Sequence, residues 1–305
     1  MRFLITIFAI LCALSIPPSD ALAQGCSDAG MCTLNGMQGT SSEFDQAYLN
    51  QFSIGLGYGR GANELNVFNQ SLTYTRTITD GLLLGSKLTF ASINGDLGDN
   101  NGLGDLYIDA RLQMHSQLSF MVALKLPLDK ADATEMLLPL PMDYQTSLGT
   151  TDLILGIGIT HRKWHLNLGW QQPLSGANDN GFDPVYYLDP AAGNYLPTNQ
   201  FRRQGDLLAR AVYNMEILQG RASLAPGILI IQHLGMDSYK QPFGGETDIE
   251  GSDQLTINLS LAASIPVSSR TALKAQLGFP VKAREARPDG LTREVALILE
   301  LQTSF

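Results

Sequence analysis

His165 and Asn167 stand two residues apart in the stretch 163–173, which alternates in character. In an extended chain that spacing puts both side chains on one face. A histidine beside an asparagine supplies the base and the orienter of a nucleophile–base–orienter set, which a serine from a neighbouring strand would complete. No serine stands out for that role, and His115, His161 and His233 are scattered along the chain. The other chemistry-bearing residues fall singly inside apolar runs: Lys87, Asp109, Arg111, Lys125, Asp152, Arg210, Lys274 and Glu300. A charge embedded in such a run needs a partner or water beside it. Together they read as the lining of a polar interior, where charges either select solutes or pair off to fill space. The acidic loop residues Asp96, Asp99 and Glu246 to Glu250 do not follow EF-hand spacing, so no metal site is assigned. No cofactor is expected.

What must position these residues is constrained by composition. Charged residues are 16% of the 305, against about a quarter in a soluble domain, while hydrophobic ones are 44%. That apolar content excludes a disordered chain. A net charge of −9 with no basic cluster excludes a nucleic-acid binder. Beyond the first twenty residues no apolar run reaches the roughly 18 that a membrane-spanning helix needs.

The start of the chain reads as a secretory signal over residues 1–23. Met1-Arg2 is a positive start, Phe3 to Ile16 is apolar, Pro17-Pro18 ends a helix, and Ala21-Leu22-Ala23 is a cleavage pattern. Residues 24–47 then carry Cys26 and Cys32 and no strand period. In an exported protein the two thiols suggest a local disulfide. The rival is a lipidated Cys26, although the leucine usual three residues earlier is missing. The segment is either a periplasmic tail or a plug in the lumen pinned by Cys26–Cys32.

Residues 48–305 alternate apolar and polar with a period of two, the signature of strands with two unlike faces. At the end of the chain Val295, Leu297, Leu299, Leu301, Thr303 and Phe305 share one face, and Ala296, Ile298, Glu300, Gln302 and Ser304 the other. Twelve such segments are read near 50–60, 65–78, 82–92, 104–115, 117–127, 150–161, 163–173, 205–217, 220–233, 252–264, 270–281 and 293–305. Links after the even-numbered segments are short, such as Thr79-Asp80-Gly81 and Arg162. Links after the third, fifth, seventh and ninth are long and rich in Gly, Asp, Asn and Pro. This predicts an all-β chain forming a transmembrane antiparallel up-and-down barrel of about 12 strands, with tight periplasmic turns and long outer loops.

A soluble sandwich would show the same strands. Sparse charge, a polar face full of glycine and small hydroxyls, and aromatics at the ends of the apolar face argue for the barrel. The aromatics are Tyr58, Tyr74, Trp164, Trp170, Tyr213 and Phe279. Phe305 on the apolar face fits a C-terminal signal read by barrel-assembly machinery. The other expected partners are outer-membrane lipid, lipopolysaccharide and a small-molecule solute, in the cell outer membrane.

Several short motifs carry a resemblance. Asn101-Gly102-Leu103-Gly104-Asp105-Leu106 opens a strand, Ala123-Leu124-Lys125-Leu126-Pro127-Leu128 closes the next, and Ser147-Leu148-Gly149-Thr150-Thr151-Asp152 opens another. With Gly205-Asp206-Leu207-Leu208 and Ala225-Pro226-Gly227 this series resembles the outer-membrane channels of the meta-pathway phenol-degradation type. These are similar to long-chain fatty-acid transporter barrels. The resemblance implies passive uptake of small, often hydrophobic molecules. The sequence departs from it at Pro127-Leu128-Asp129, where the family often has Pro-Thr-Gly, and in a long following loop with Pro139 and Pro141.

If the apolar face meets lipid, Lys87, Asp109, Arg111, Lys125, Asp152, His165, Asn167, Arg210, Lys274, Glu300 and Gln302 line the pore. Twelve strands enclose more room than the eight that side chains just fill. The link from Leu174 to Gln204 carries Phe182, Tyr186, Tyr187, Tyr195 and Phe201, as a ligand trap, a lid or a local core. Two alternatives to a channel remain open. One is a barrel enzyme of the outer-membrane lipid-hydrolase type built on His165 and Asn167. The other is a structural barrel with a filled lumen.

Overall fold

The computed structural model describes residues 48–290 and 293–305. Twelve antiparallel strands pair in chain order, and the last pairs with the first. They are β1 (Asn50–Gly61), β2 (Asn66–Thr79), β3 (Leu82–Gly95), β4 (Gly98–His115), β5 (Leu118–Pro127) and β6 (Asp152–His161). There follow β7 (Trp164–Pro173), β8 (Asp206–Tyr213, continuing as Met215–Ile217) and β9 (Ala222–His233). β10 (Leu255–Pro266), β11 (Thr271–Lys282) and β12 (Arg293–Ser304) complete the wall. Closure leaves no edge strand, as backbone in lipid requires. Phe305 seals the seam: its N–H donates to the Asn50 carbonyl at 2.9 Å, and the Asn50 N–H donates to the Phe305 carbonyl at 3.1 Å.

The sense of the two faces decides between barrel and sandwich. Ile54, Leu56, Leu168 and Leu299 point outward and are 45–58% exposed, while inward-facing Ser53, Thr73, Asn258 and Gln302 are buried. A sandwich would do the opposite. Leaving one large apolar side chain in water costs about 1.5–3 kcal/mol. Such residues recur outward along the wall, so its outer surface is a continuous apolar belt. Aromatics mark both rims of this belt. Trp164 and Tyr213 stack at 4.9 Å near the short turns, and Tyr58 and Phe68 at 5.0 Å near the long links.

One link differs from the sequence reading, which placed a long outer loop at 93–103. β3 and β4 instead stay laddered out to the Gly95–Gly98 pair. Ile93 and Leu97 are buried against outer-loop side chains, so the hairpin remains zipped beyond the wall.

The long links, at the outer end, fold over the barrel. Among the described residues, helix is confined to short 3-10 turns in the links at this end. They carry two cores of their own. Leu65, Leu140, Tyr144, Phe182 and Tyr195 pack into one, and Ala131, Met142, Phe201, Ile249 and Ala286 into the other. Segments far apart in sequence thereby form a continuous cap.

Candidate functional site

The lumen has two unlike halves. Tyr107, Met121, Ile154, Leu208, Leu229 and Ile231, inward on β4, β5, β6, β8 and β9, form a buried apolar cluster. The other half, against β1–β3 and β11–β12, encloses a cavity of about 150 Å³. A water needs roughly 10–15 Å³ by this measure, so the cavity holds on the order of ten. Its floor includes the β1 backbone at Gly55 and Gly57, with the Ser71 hydroxyl close over Gly55. Its lining mixes apolar Val67, Ala91, Ile93 and Tyr107 with polar Asn69, Lys87, Asp105 and Glu300. Asp105 accepts a hydrogen bond from the Ser147 hydroxyl at 2.6 Å.

The cap supplies the cavity's outer wall through Met142, Gln145, Ser147 and Gly290. Gly290 has φ +73°, and a Cβ there would come within 2.5 Å of the Met142 carbonyl oxygen. Only glycine permits this approach of the last link to the 128–151 link.

The sequence-named residues fall into groups. Asp109 and Arg111, two apart on β4, form an ion pair at 2.7 Å with both side chains buried. Lys125 on β5 pairs with Asp152 on β6 at 3.1 Å. Asp152 also accepts from the Thr150 hydroxyl at 2.7 Å and the Gln171 amide at 2.5 Å. Lys87 and Glu300 line the cavity on opposite sides of β1 and β2. Lys274 is the cross-strand neighbour of Glu300. Arg210 and Asn167 are also cross-strand neighbours, both buried. Gln302 donates to Gln51 at 3.0 Å. Cys26 and Cys32 lie outside the described residues.

His165 does not join Asn167 in an acid–base set. Its Nδ1 lies 3.1 Å from the Thr160 hydroxyl and its Nε2 lies 2.8 Å from Asn214 Nδ2. With an amide N–H donating to Nε2, the ring proton sits on Nδ1 and points at Thr160. That tautomer cannot take a proton from the hydroxyl.

The aromatic link resolves as a local core. Phe182 and Phe201 are fully buried, and Tyr187 donates to the Pro139 carbonyl. Tyr144 and Tyr195 meet hydroxyl to hydroxyl at 3.2 Å. Burial, with Tyr144 nearby, pushes the Tyr187 phenol up to about 12. Burial likewise raises Tyr144 and Tyr195.

Sequence reasoning missed the residues that tie the cap to the wall. Arg203, Asp206, His233, Asp237, Arg284 and Asp289 form a buried ionic cluster. Burial opposes the Arg203 charge, but Asp206, Asp152, Asp289 and Asp237 more than offset it and hold the guanidinium firmly protonated. Four of the six sit in the long links, where no alternation marks what is buried.

No family model and no curated protein matches the chain. Solved structures do. An outer membrane channel from Pseudomonas putida F1 superposes with a TM-score of 0.55 at 19% identity, covering 87% of this chain and 99% of that one. The fold is shared. The NanC porin (TM-score 0.47, 7% identity, 83% and 98% covered) and the KdgM porin (0.44, 9%, 84% and 99%) are more distant barrels.

Proposed function

We propose that the protein is an outer-membrane channel through which small solutes, hydrophobic or aromatic ones among them, cross passively. The observation that carries this reading is the cavity inside a closed wall, lined by the apolar Val67, Ile93 and Tyr107 together with the polar Asn69, Lys87 and Glu300. Such a lining suits a molecule with an apolar body and a polar handle. The fold shared with the Pseudomonas putida F1 channel supports it, as does the resemblance to channels of the meta-pathway phenol-degradation type.

On this reading the signal over 1–23 directs export, Phe305 serves assembly, and the outward belt meets outer-membrane lipid beneath lipopolysaccharide. On the same reading residues 24–47, with a local Cys26–Cys32 disulfide, serve either as a plug or as a periplasmic tail. Lys87, Lys125 and Glu300 are the pore-lining charges nearest the solute.

The test is single-channel conductance of refolded mature protein in a planar bilayer. Steady steps support an open channel. Silence that becomes conductance on deleting 24–47 supports a plugged one. Silence in both sinks the channel reading in favour of a structural barrel, which the apolar cluster across half the lumen favours.

A further inference from the structure

Around His233 the buried charges close into a circuit. The Arg203 guanidinium pairs with Asp206, whose Oδ1 lies 2.6 Å from His233 Nδ1. His233 Nε2 lies 2.8 Å from Asp237 Oδ1, and Asp237 Oδ2 lies 3.6 Å from Arg284. Arg284 pairs with Asp289, whose Oδ2 lies 3.8 Å from Arg203 Nε. None of these side chains is more than 5% exposed. The circuit joins β8 and β9 in the wall to three outer links: 174–205, 234–254 and 283–292.

We infer that His233 latches the outer cap as an imidazolium, and that losing its proton frees the 234–254 link from the wall. Both ring nitrogens face carboxylate oxygens, which only accept, so both must carry hydrogen. A neutral ring has one N–H and would set a lone pair against a carboxylate at under 3 Å. Arg203 also contacts Asp152, which Lys125 touches, so Asp152, Asp206, Asp237 and Asp289 lie in one buried network with these cations. An uncompensated buried carboxylate is strongly unfavourable.

The geometry also says which contact yields. Asp206 belongs to the β8 ladder, paired with Gln171 on one side and His233 on the other. Asp237 lies in a link and is the hub of its local bonds. Its N–H donates to Ser252 Oγ at 2.8 Å, its carbonyl accepts from Ile249 N–H at 2.8 Å, and its Oδ1 accepts from Gln204 N–H at 2.8 Å. Ile249 packs with Met142, which walls the cavity, so motion of Asp237 reaches the outer mouth. Only this last consequence, a mouth that opens toward alkaline pH, rests on the channel reading.

The test uses the full mature chain in detergent. Side-chain nitrogen NMR should find both His233 ring nitrogens protonated at neutral pH. As pH rises and His233 titrates, the Asp237, Ile249 and Gln204 amides should exchange about tenfold faster than intrinsic base catalysis explains. In His233→Asn these amides should exchange fast already at neutral pH, with no later step. Should that variant not fold, the wild-type titration decides alone. A singly protonated His233 at neutral pH, or a deprotonation that leaves those amides equally protected, overturns the inference. Neither readout requires conductance, so a barrel that never conducts could still pass.

Discussion

Lys125 and Asp152 face each other as cross-strand partners on β5 and β6, with Lys125 Nζ 3.1 Å from Asp152 Oδ2 and both side chains almost fully buried. The pair sits where the wall meets the cap, because Asp152 also contacts Arg203 at 3.4 Å. Removing one partner strands a buried charge, which costs about 3–5 kcal/mol. Asp152→Asn should therefore lower barrel stability by that order. The double variant Lys125→Met/Asp152→Asn should recover part of the loss. Denaturant unfolding of detergent-solubilised protein gives the comparison, and equal losses in single and double variants would refute the pairing.

Gly290→Ala should loosen the contact between the last link and the 128–151 link. The substitution meets both a positive φ and the Met142 carbonyl. Strain of this kind costs on the order of 1–3 kcal/mol. Limited proteolysis should cut within 128–151 faster while the strands stay protected.

Phe182→Ala should empty the centre of the outer core that holds Tyr187 and Tyr195. Phe-to-Ala changes in cores cost about 3–5 kcal/mol. The loss should be local. Exchange protection falls in the 174–205 link, while β1–β12 keep theirs. Global unfolding of the barrel would show that cap and wall are one cooperative unit.

Burial pushes the Tyr187 phenol up to about 12 and raises Tyr144 and Tyr195, so these three should titrate late. A phenol whose folded pKa is raised contributes stability that is fully present below about 10 and lost as pH climbs through the folded value. Spectroscopic titration should show late, cooperative ionisation coincident with loss of cap protection. Tyr187→Phe should remove one late proton.

Leu299→Arg tests the outward belt. Leu299 points away from the lumen and is 45% exposed. An arginine at mid-belt costs about 2–4 kcal/mol in a bilayer. Stability measured in lipid vesicles should fall by that amount, whereas inward Ala296→Ser on the same strand should change little.

The alternation by itself determined the wall. Val295, Leu297, Leu299 and Leu301 are set on one face by the two-residue period of an extended chain, a property each strand carries alone. Counting such segments gave the strand number, and the rhythm of short and long links gave the pairing. The tertiary structure decided what the inward residues meet. Asp109 and Arg111 share a strand and could be paired on paper. Lys125 with Asp152, and His233 with Asp206 and Asp237, needed chain closure to bring distant residues together. Asp237, Arg284 and Asp289 sit in links without a repeating geometry, so no spacing rule could mark them as buried. The same holds for β3 and β4 beyond the wall, where contacts with Leu140 and Tyr144 keep a hairpin zipped that composition alone reads as loop.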